Sequence, residues 1–256
     1  SDKEAIERFR REAETVAKLH HTNIVPIFAV GTEQGVYYYA MQFIDGQSLS
    51  QIIEEMRAQD TNLAELSTRG ATGITRPMIR ESGETLSRSR AGDDFFRTVA
   101  RLGKQAAEAL EHAHQFGIIH RDIKPSNLLI DNLGQLWITD FGLARMQSEV
   151  GVTRTGDLIG TLRYMSPEQA AGQSALIDPR SDVSSLGVTL YELLAGAPAF
   201  GDDARQTRPK RVIHDEPEPL RRRNRSVPVD LETIVMTAMA KSRDDRYVTA
   251  QALAED

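Results

Sequence analysis

Phe9, Ala13, Val16, Ala17 and His20 recur at helical spacing behind a charged start. That period predicts an amphipathic helix from about Lys3 to Leu19, with Glu12 beside its apolar face. Two strand-like runs follow, Val25 to Val30 and Val36 to Phe43, and Gly31-Thr32-Glu33-Gln34-Gly35 between them reads as a hairpin turn. A second helix is predicted from Ser48 to Arg57. From about Asp60 to Asp93 the apolar period disappears and Ser, Thr, Arg and Gly dominate, which reads as a mobile insertion, unusually long for a compact domain.

Beyond it, Phe95, Val99, Leu102, Ala106, Ala109, Leu110 and Ala113 predict a long buried helix that Gly117 stops. Leu128 to Ile130 and Leu136 to Thr139 read as short strands joined by Asp131-Asn132-Leu133-Gly134. Further helices are predicted at Asp182 to Ala195, at Leu231 to Ala240 and from Thr249, with Pro217, Pro219 and Pro228 marking a loop. There is no internal repeat.

Composition narrows the function classes. The 256 residues are 40% hydrophobic, enough for a sizeable core in one large domain or in two lobes sharing a cleft. A count of 37 acidic against 31 basic side chains, a formal charge of -6, offers no broad basic surface, so nucleic acid is not an expected partner. With no cysteine, disulfides and thiolate metal sites are excluded, and a reducing, cytoplasmic setting is expected. The longest mostly apolar stretch, Val188 to Phe200, is too short for a bilayer and reads as a buried helix, and the charged opening from Ser1 to Arg11 has no signal-peptide pattern. No membrane segment is expected within the chain, although a tether outside it is compatible with that reading.

The chemistry is concentrated in His120-Arg121-Asp122-Ile123-Lys124-Pro125-Ser126-Asn127, followed across the hairpin by Asp140-Phe141-Gly142 and then by Ser166-Pro167-Glu168. Each piece alone is weak, and their order and spacing carry the weight. Together they resemble the catalytic loop, magnesium loop and Ala-Pro-Glu segment of protein kinases, most closely the bacterial, eukaryotic-like (Hanks-type) serine/threonine kinases. The resemblance implies an α+β, protein-kinase-like two-lobed fold. Residues 1–45 would form a partial small lobe (a helix and the last two strands), and residues 46–256 a mainly helical large lobe with the insertion at about 60–93.

It also implies ATP and Mg2+ as cofactors and protein substrates bearing Ser or Thr. Asp122 would orient the attacking hydroxyl and accept its proton, and Lys124 would place its ammonium against the transferring phosphoryl group. Asp140 and Asn127 would be the metal ligands, hard oxygen donors suited to magnesium. A polar turn carrying surface charges is the competing reading of these four. Met41-Gln42-Phe43-Ile44 resembles the hinge, where Met41, Gln42 and Ile44 would meet the adenine and Leu129 would pack under it. Glu12 matches the glutamate that pairs with the nucleotide lysine, or else is a solvated helix carboxylate. Val16, Ile27, His120 and Phe141 match the stacked apolar column of active kinases and equally fit ordinary core.

By the same likeness Glu168 and Arg246 form a buried ion pair, Asp182 caps the catalytic-loop backbone, and Thr161 bridges Asp122 and Lys124. Phosphate on Thr153 or Thr155 would pair with Arg121 and order the segment before Ser166; the alternative is that both are plain loop residues. Autophosphorylation in a homodimer is compatible with that scheme. The run Arg221-Arg222-Arg223-Asn224-Arg225 reads as a solvated surface.

Three features depart from the family, the insertion from about Asp60 to Asp93 among them. The Gly-x-Gly-x-x-Gly loop and the Ala-x-Lys lysine are not found, since position 1 falls immediately before the helix bearing Glu12. The small-lobe sheet is therefore expected to have an unpaired edge, and the isolated chain to be unstable or nearly inactive within an active parent. Ser184 stands where relatives often carry an aromatic residue. A pseudokinase or scaffold fragment is the alternative, and intact Asp122, Lys124, Asn127 and Asp140 argue against it. A small-molecule phosphotransferase is disfavoured by Ser166-Pro167-Glu168.

Overall fold

The computed structural model describes residues 16, 18–33, 36–68, 92–141, 161–201 and 209–256. The expected first helix lies outside these residues apart from Val16 and Leu19, both buried, and the exposed Lys18.

The first two apolar runs pair as an antiparallel hairpin, β1 (Ile27–Glu33) and β2 (Val36–Met41). Gly31, expected in the turn, lies within β1 opposite Tyr38. A Cβ there would collide with the Tyr38 ring, so the glycine serves a close cross-strand approach. A second sheet runs β3 (Gly46–Ser48), β4 (Leu128–Asp131), β5 (Leu136–Ile138), all antiparallel. β3 gave no sequence signal because three residues, two of them exposed, cannot show an alternating pattern. The two sheets meet through residues 23–26. Ile138 N–H donates to the Asn23 carbonyl, Val25 N–H to the Ile138 carbonyl, and Gln42 N–H to the Pro26 carbonyl.

The helix expected at Ser48 to Arg57 is longer. α1 spans Leu49–Thr68 and so takes in the start of the segment read as an insertion from Asp60. Its start is a capping box, with Ser48 Oγ accepting from Gln51 N–H at 3.3 Å and Gln51 Oε1 accepting from Ser48 N–H at 2.9 Å. No Gly or Pro interrupts the chain to Thr68, so good helix formers continue the helix after the apolar period has ended. Residues 69–91 lie outside the described residues.

α2 (Asp93–Gln115) buries Phe95, Phe96, Val99, Leu102, Ala106, Ala109, Leu110 and Ala113 on one face. Gly117, at φ +72°, turns the chain away. α3 (Pro167–Ala170) begins with a second capping box, Ser166 and Gln169. α4 (Pro179–Ala195) starts three residues before Asp182 because Asp178 accepts from Arg180 N–H and Pro179 occupies the first helical position. It is the axis of the core: Val183, Leu186, Tyr191, Leu193 and Leu194 are fully buried. The apolar stretch to Phe200 is buried as expected, but the helix ends at Ala195, where Gly196 adopts a left-handed cap.

After the short α5 (Pro209–His214) and α6 (Leu220–Arg223), α7 (Val229–Ala238) and α8 (Ala250–Glu255) pack on α4. α7 sits two residues earlier than expected, directly after Pro228, and Thr249 caps α8 through Ala252 N–H. Among the described residues, no helix is long and apolar enough to cross a membrane.

Candidate active site

Arg121 and Asp140 are non-glycine residues at positive φ, 69° and 64°. A left-handed backbone costs of order 1 kcal/mol or more per residue, so something must hold each one. For Arg121 the holder is Asp182 in the first turn of α4. Its buried carboxylate accepts the backbone N–H of His120 and of Arg121, each at 2.8 Å, and His114 Nε2 lies 2.8 Å from the same group. From the other side Gln169 Nε2 donates to the Arg121 carbonyl at 2.7 Å.

His120 passes this constraint on. Its Nε2 lies 2.9 Å from the Thr139 carbonyl and its Nδ1 3.2 Å from the Asp122 backbone N–H, so each ring nitrogen engages a backbone group. Its ring lies 4.6 Å from that of Phe141. The backbone at Asp122 and the residue that follows β5 are thus pinned to one imidazole.

Around that frame the polar side chains converge. Asp122 Oδ2 is 2.8 Å from Lys124 Nζ, which also donates to Thr161 Oγ1 at 2.9 Å. Asn127 Nδ2 donates to the Asp122 carbonyl at 2.8 Å and to Oδ2 at 3.2 Å. Asp122 Oδ1 is buried and has no hydrogen-bond partner among the described residues. Burial raises the Asp140 carboxyl above its ordinary value; the Asp122 charge adds to this, and His120 and Lys124 oppose it. The Asp140 carboxylate and the Asn127 amide oxygen are the kind of hard oxygen donors a divalent cation takes, and such a cation would relieve the repulsion between Asp122 and Asp140.

A cavity beside Asp140 is lined by Val16, Val25, Ile27, Tyr39, Met41, Thr139 and Phe141. Val16, Ile27 and Phe141, three of the four residues of the expected column, line this one cavity, and the His120 ring lies against that of Phe141. Of the expected hinge residues the cavity takes in Met41, whose sulfur lies 3.4 Å from Thr139 Oγ1, but not Gln42, Ile44 or Leu129, which are half-buried. Glu12, Thr153 and Thr155 lie outside the described residues, as does Gly142.

Behind the cleft, Arg246 Nη1 and Nη2 bind the two oxygens of Glu168, and Ser181 Oγ donates to Glu168 Oε1 at 2.6 Å. Sequence reasoning missed several partners: His114, Gln169, and the Tyr164 hydroxyl that donates to Glu192 Oε2 at 2.7 Å opposite Arg57 on Oε1. The Ser166-x-x-Gln169 box was the available signal for Gln169. Ser184, the departure from the family, is buried on α4.

Comparison with known proteins follows the same lines. The family described as Protein kinase domain matches residues 1–256. The chain is 34% identical over 256 residues to the serine/threonine-protein kinase PrkC of Bacillus subtilis, covering all of this chain and 34% of that protein. It is 35% identical over 255 residues to the serine/threonine-protein kinase PknB of Mycolicibacterium smegmatis, covering 97% of this chain and 35% of that protein. The chain thus spans about a third of the length of these curated relatives. The crystal structure of the Mycobacterium tuberculosis PknI kinase domain shares the fold, with a TM-score of 0.63 at 23% identity over 100% of this chain and 79% of that one.

Proposed function

The chain belongs to the protein kinase domain family, among bacterial Hanks-type members, and on that premise we propose that it transfers the terminal phosphate of ATP to Ser and Thr hydroxyls of proteins. The observation that carries this reading is the Lys124 ammonium shared between Asp122 and Thr161, with Asn127 bonded to the same aspartate and Asp140 within its field.

Asp122 is the group that accepts a hydrogen bond from the acceptor hydroxyl and takes its proton. Lys124 balances charge gathering on the phosphoryl oxygens, and Thr161 holds its chain in place. Asn127 and Asp140 would hold Mg2+, which when bound supplies charge neutralisation of the nucleotide phosphates. Asn127 Oδ1 accepts only from the Ser126 hydroxyl among the described residues, a bond easily exchanged for a cation.

Met41, Gln42, Ile44 and Leu129 form the adenine side. Gln42 spends its N–H on Pro26, which leaves its carbonyl for the base edge. Glu12 pairs with the nucleotide lysine of the parent protein. Thr153 and Thr155 are the regulatory phosphate acceptors, read by Arg121, and autophosphorylation between two copies would load them. Residues 1–45 and 46–256 are the two lobes flanking the nucleotide.

The test is acceptor choice by the full-length protein with ATP and Mg2+. Label on a generic basic protein, recovered as phosphoserine and phosphothreonine, is expected; label only on sugar or antibiotic acceptors would contradict the reading.

A further inference from the structure

Where residues 20–25 meet α2, two imidazoles face each other that phosphoryl transfer does not use. The rings of His21 and His112 have centroids 5.3 Å apart, tilted by 34°, and Phe116 lies 5.1 Å from His112. His112 Nε2 is buried with no hydrogen-bond partner among the described residues. His21 Nδ1 accepts from Asn23 N–H at 3.1 Å, so the proton of the neutral ring sits on Nε2.

Asn23 is buried and stitched to β5 through its other groups. Its carbonyl accepts from Ile138 N–H at 2.8 Å, and its side-chain amide donates to the Leu136 carbonyl at 2.7 Å. β5 runs directly into Thr139, whose carbonyl holds His120, and then into Asp140.

We propose that His21 is a proton-operated latch: a proton taken from solvent at Nδ1 displaces the Asn23 N–H and loosens the joint between residues 20–25 and β5. Nδ1 has one lone pair in the ring plane, so it cannot be protonated and accept from Asn23 at once. The new cation would also sit against His112.

The surrounding charges favour the neutral state. Burial, then the like charge of His112, hold His21 below its ordinary 6.5, and Glu108 partly offsets them. Glu108 is itself paired with Lys104 at 3.6 Å. Elsewhere on α2, Arg101 donates to the Gly134 carbonyl and Glu111 accepts from Gln251 N–H. The β4–β5 turn contributes neutral Gln135, bonded to the Thr22 carbonyl, and His20 is exposed. Since the folded state disfavours the charged ring, the joint is whole above about pH 6.5 and opens as pH falls through the lowered value of His21 beneath it.

The test is hydrogen exchange by mass spectrometry on the full-length protein, corrected for the intrinsic rate at each pH. Protection of peptides covering residues 22–25 and 136–138 is expected to fall about tenfold from about pH 7.5 to about pH 5. His21→Asn keeps an acceptor where Nδ1 was but does not titrate, and its protection is expected to be flat. His21→Gln lacks that acceptor and is expected to be low at both ends, while His112→Gln shifts the wild-type midpoint upward. A flat wild-type profile, or a pH-dependent loss that persists in His21→Asn, would overturn the proposal.

Discussion

Arg246 meets Glu168 end-on, with Nη1 and Nη2 each 2.9 Å from a different carboxylate oxygen and both side chains buried. Remaining guanidinium donors go to the carbonyls of Arg180, Ala240 and Lys241. The pair therefore ties α3 to the start of α4 and to the chain after α7. Removing one partner strands a buried charge, so Arg246→Ala should cost about 3–5 kcal/mol in chemical denaturation. Arg246→Lys should recover little, because an ammonium cannot form the fork.

The same pair fixes a pH dependence. Burial pushes the Glu168 carboxyl up, but hydrogen bonds from Arg246 and Ser181 and the Arg246 charge outweigh it and hold it down from 4.5 to about 2. Its contribution is whole above the ordinary carboxyl value and is lost as pH falls toward about 2, roughly 3 kcal/mol across that window. Denaturation midpoints of wild type and Glu168→Gln should therefore converge as the pH is lowered, and parallel curves would count against the assignment.

Glycines at two helix crossings should respond oppositely to alanine. A Cβ on Gly187 would lie 2.9 Å from Ala238 Cβ and 3.0 Å from Met239 Cγ, with α7 backbone behind them. On Gly103 it would meet only the tip of Leu190, at 3.1 Å, which can rotate. The helix-propensity gain is about 1 kcal/mol in each case and overpacking costs about 1–3. Gly187→Ala should lower the melting temperature and Gly103→Ala should leave it unchanged or raise it.

Thr161 Oγ1 is the acceptor that fixes Lys124 Nζ apart from Asp122. Thr161→Val should lower kcat about ten- to a hundredfold, as expected for losing a hydrogen bond to a charged group, and Thr161→Ser should restore it.

The Tyr164 hydroxyl donates to the buried Glu192, and burial followed by the Glu192 charge keeps the phenol protonated far above its ordinary range. Tyr164→Phe should leave that carboxylate oxygen unsatisfied and destabilise the fold by about 1–3 kcal/mol in calorimetry.

The cleft residues were legible because they are consecutive or nearly so: His120 to Asn127 and Asp140 to Phe141 sit on one loop and one hairpin, where local spacing dictates spatial proximity. Glu168 and Arg246 are far apart in sequence and were reachable only through resemblance. His114 against Asp182, and His21 against His112, are tertiary pairings between ordinary-looking positions and left no pattern to read. α1 outruns the expected Ser48 to Arg57 because helix propensity carries it past the end of the apolar period, and Gly31, expected in the turn, serves a cross-strand contact.

The central claim is that Asp122 is the base of a metal-dependent phosphoryl transfer. Its most direct test is initial-rate phosphorylation of a protein substrate by full-length wild type and Asp122→Asn at saturating ATP and Mg2+, with nucleotide affinity measured in parallel. The account predicts a kcat lowered by about a hundredfold or more, as expected for a general base, with ATP binding essentially unchanged. Equal turnover in the two proteins would contradict it.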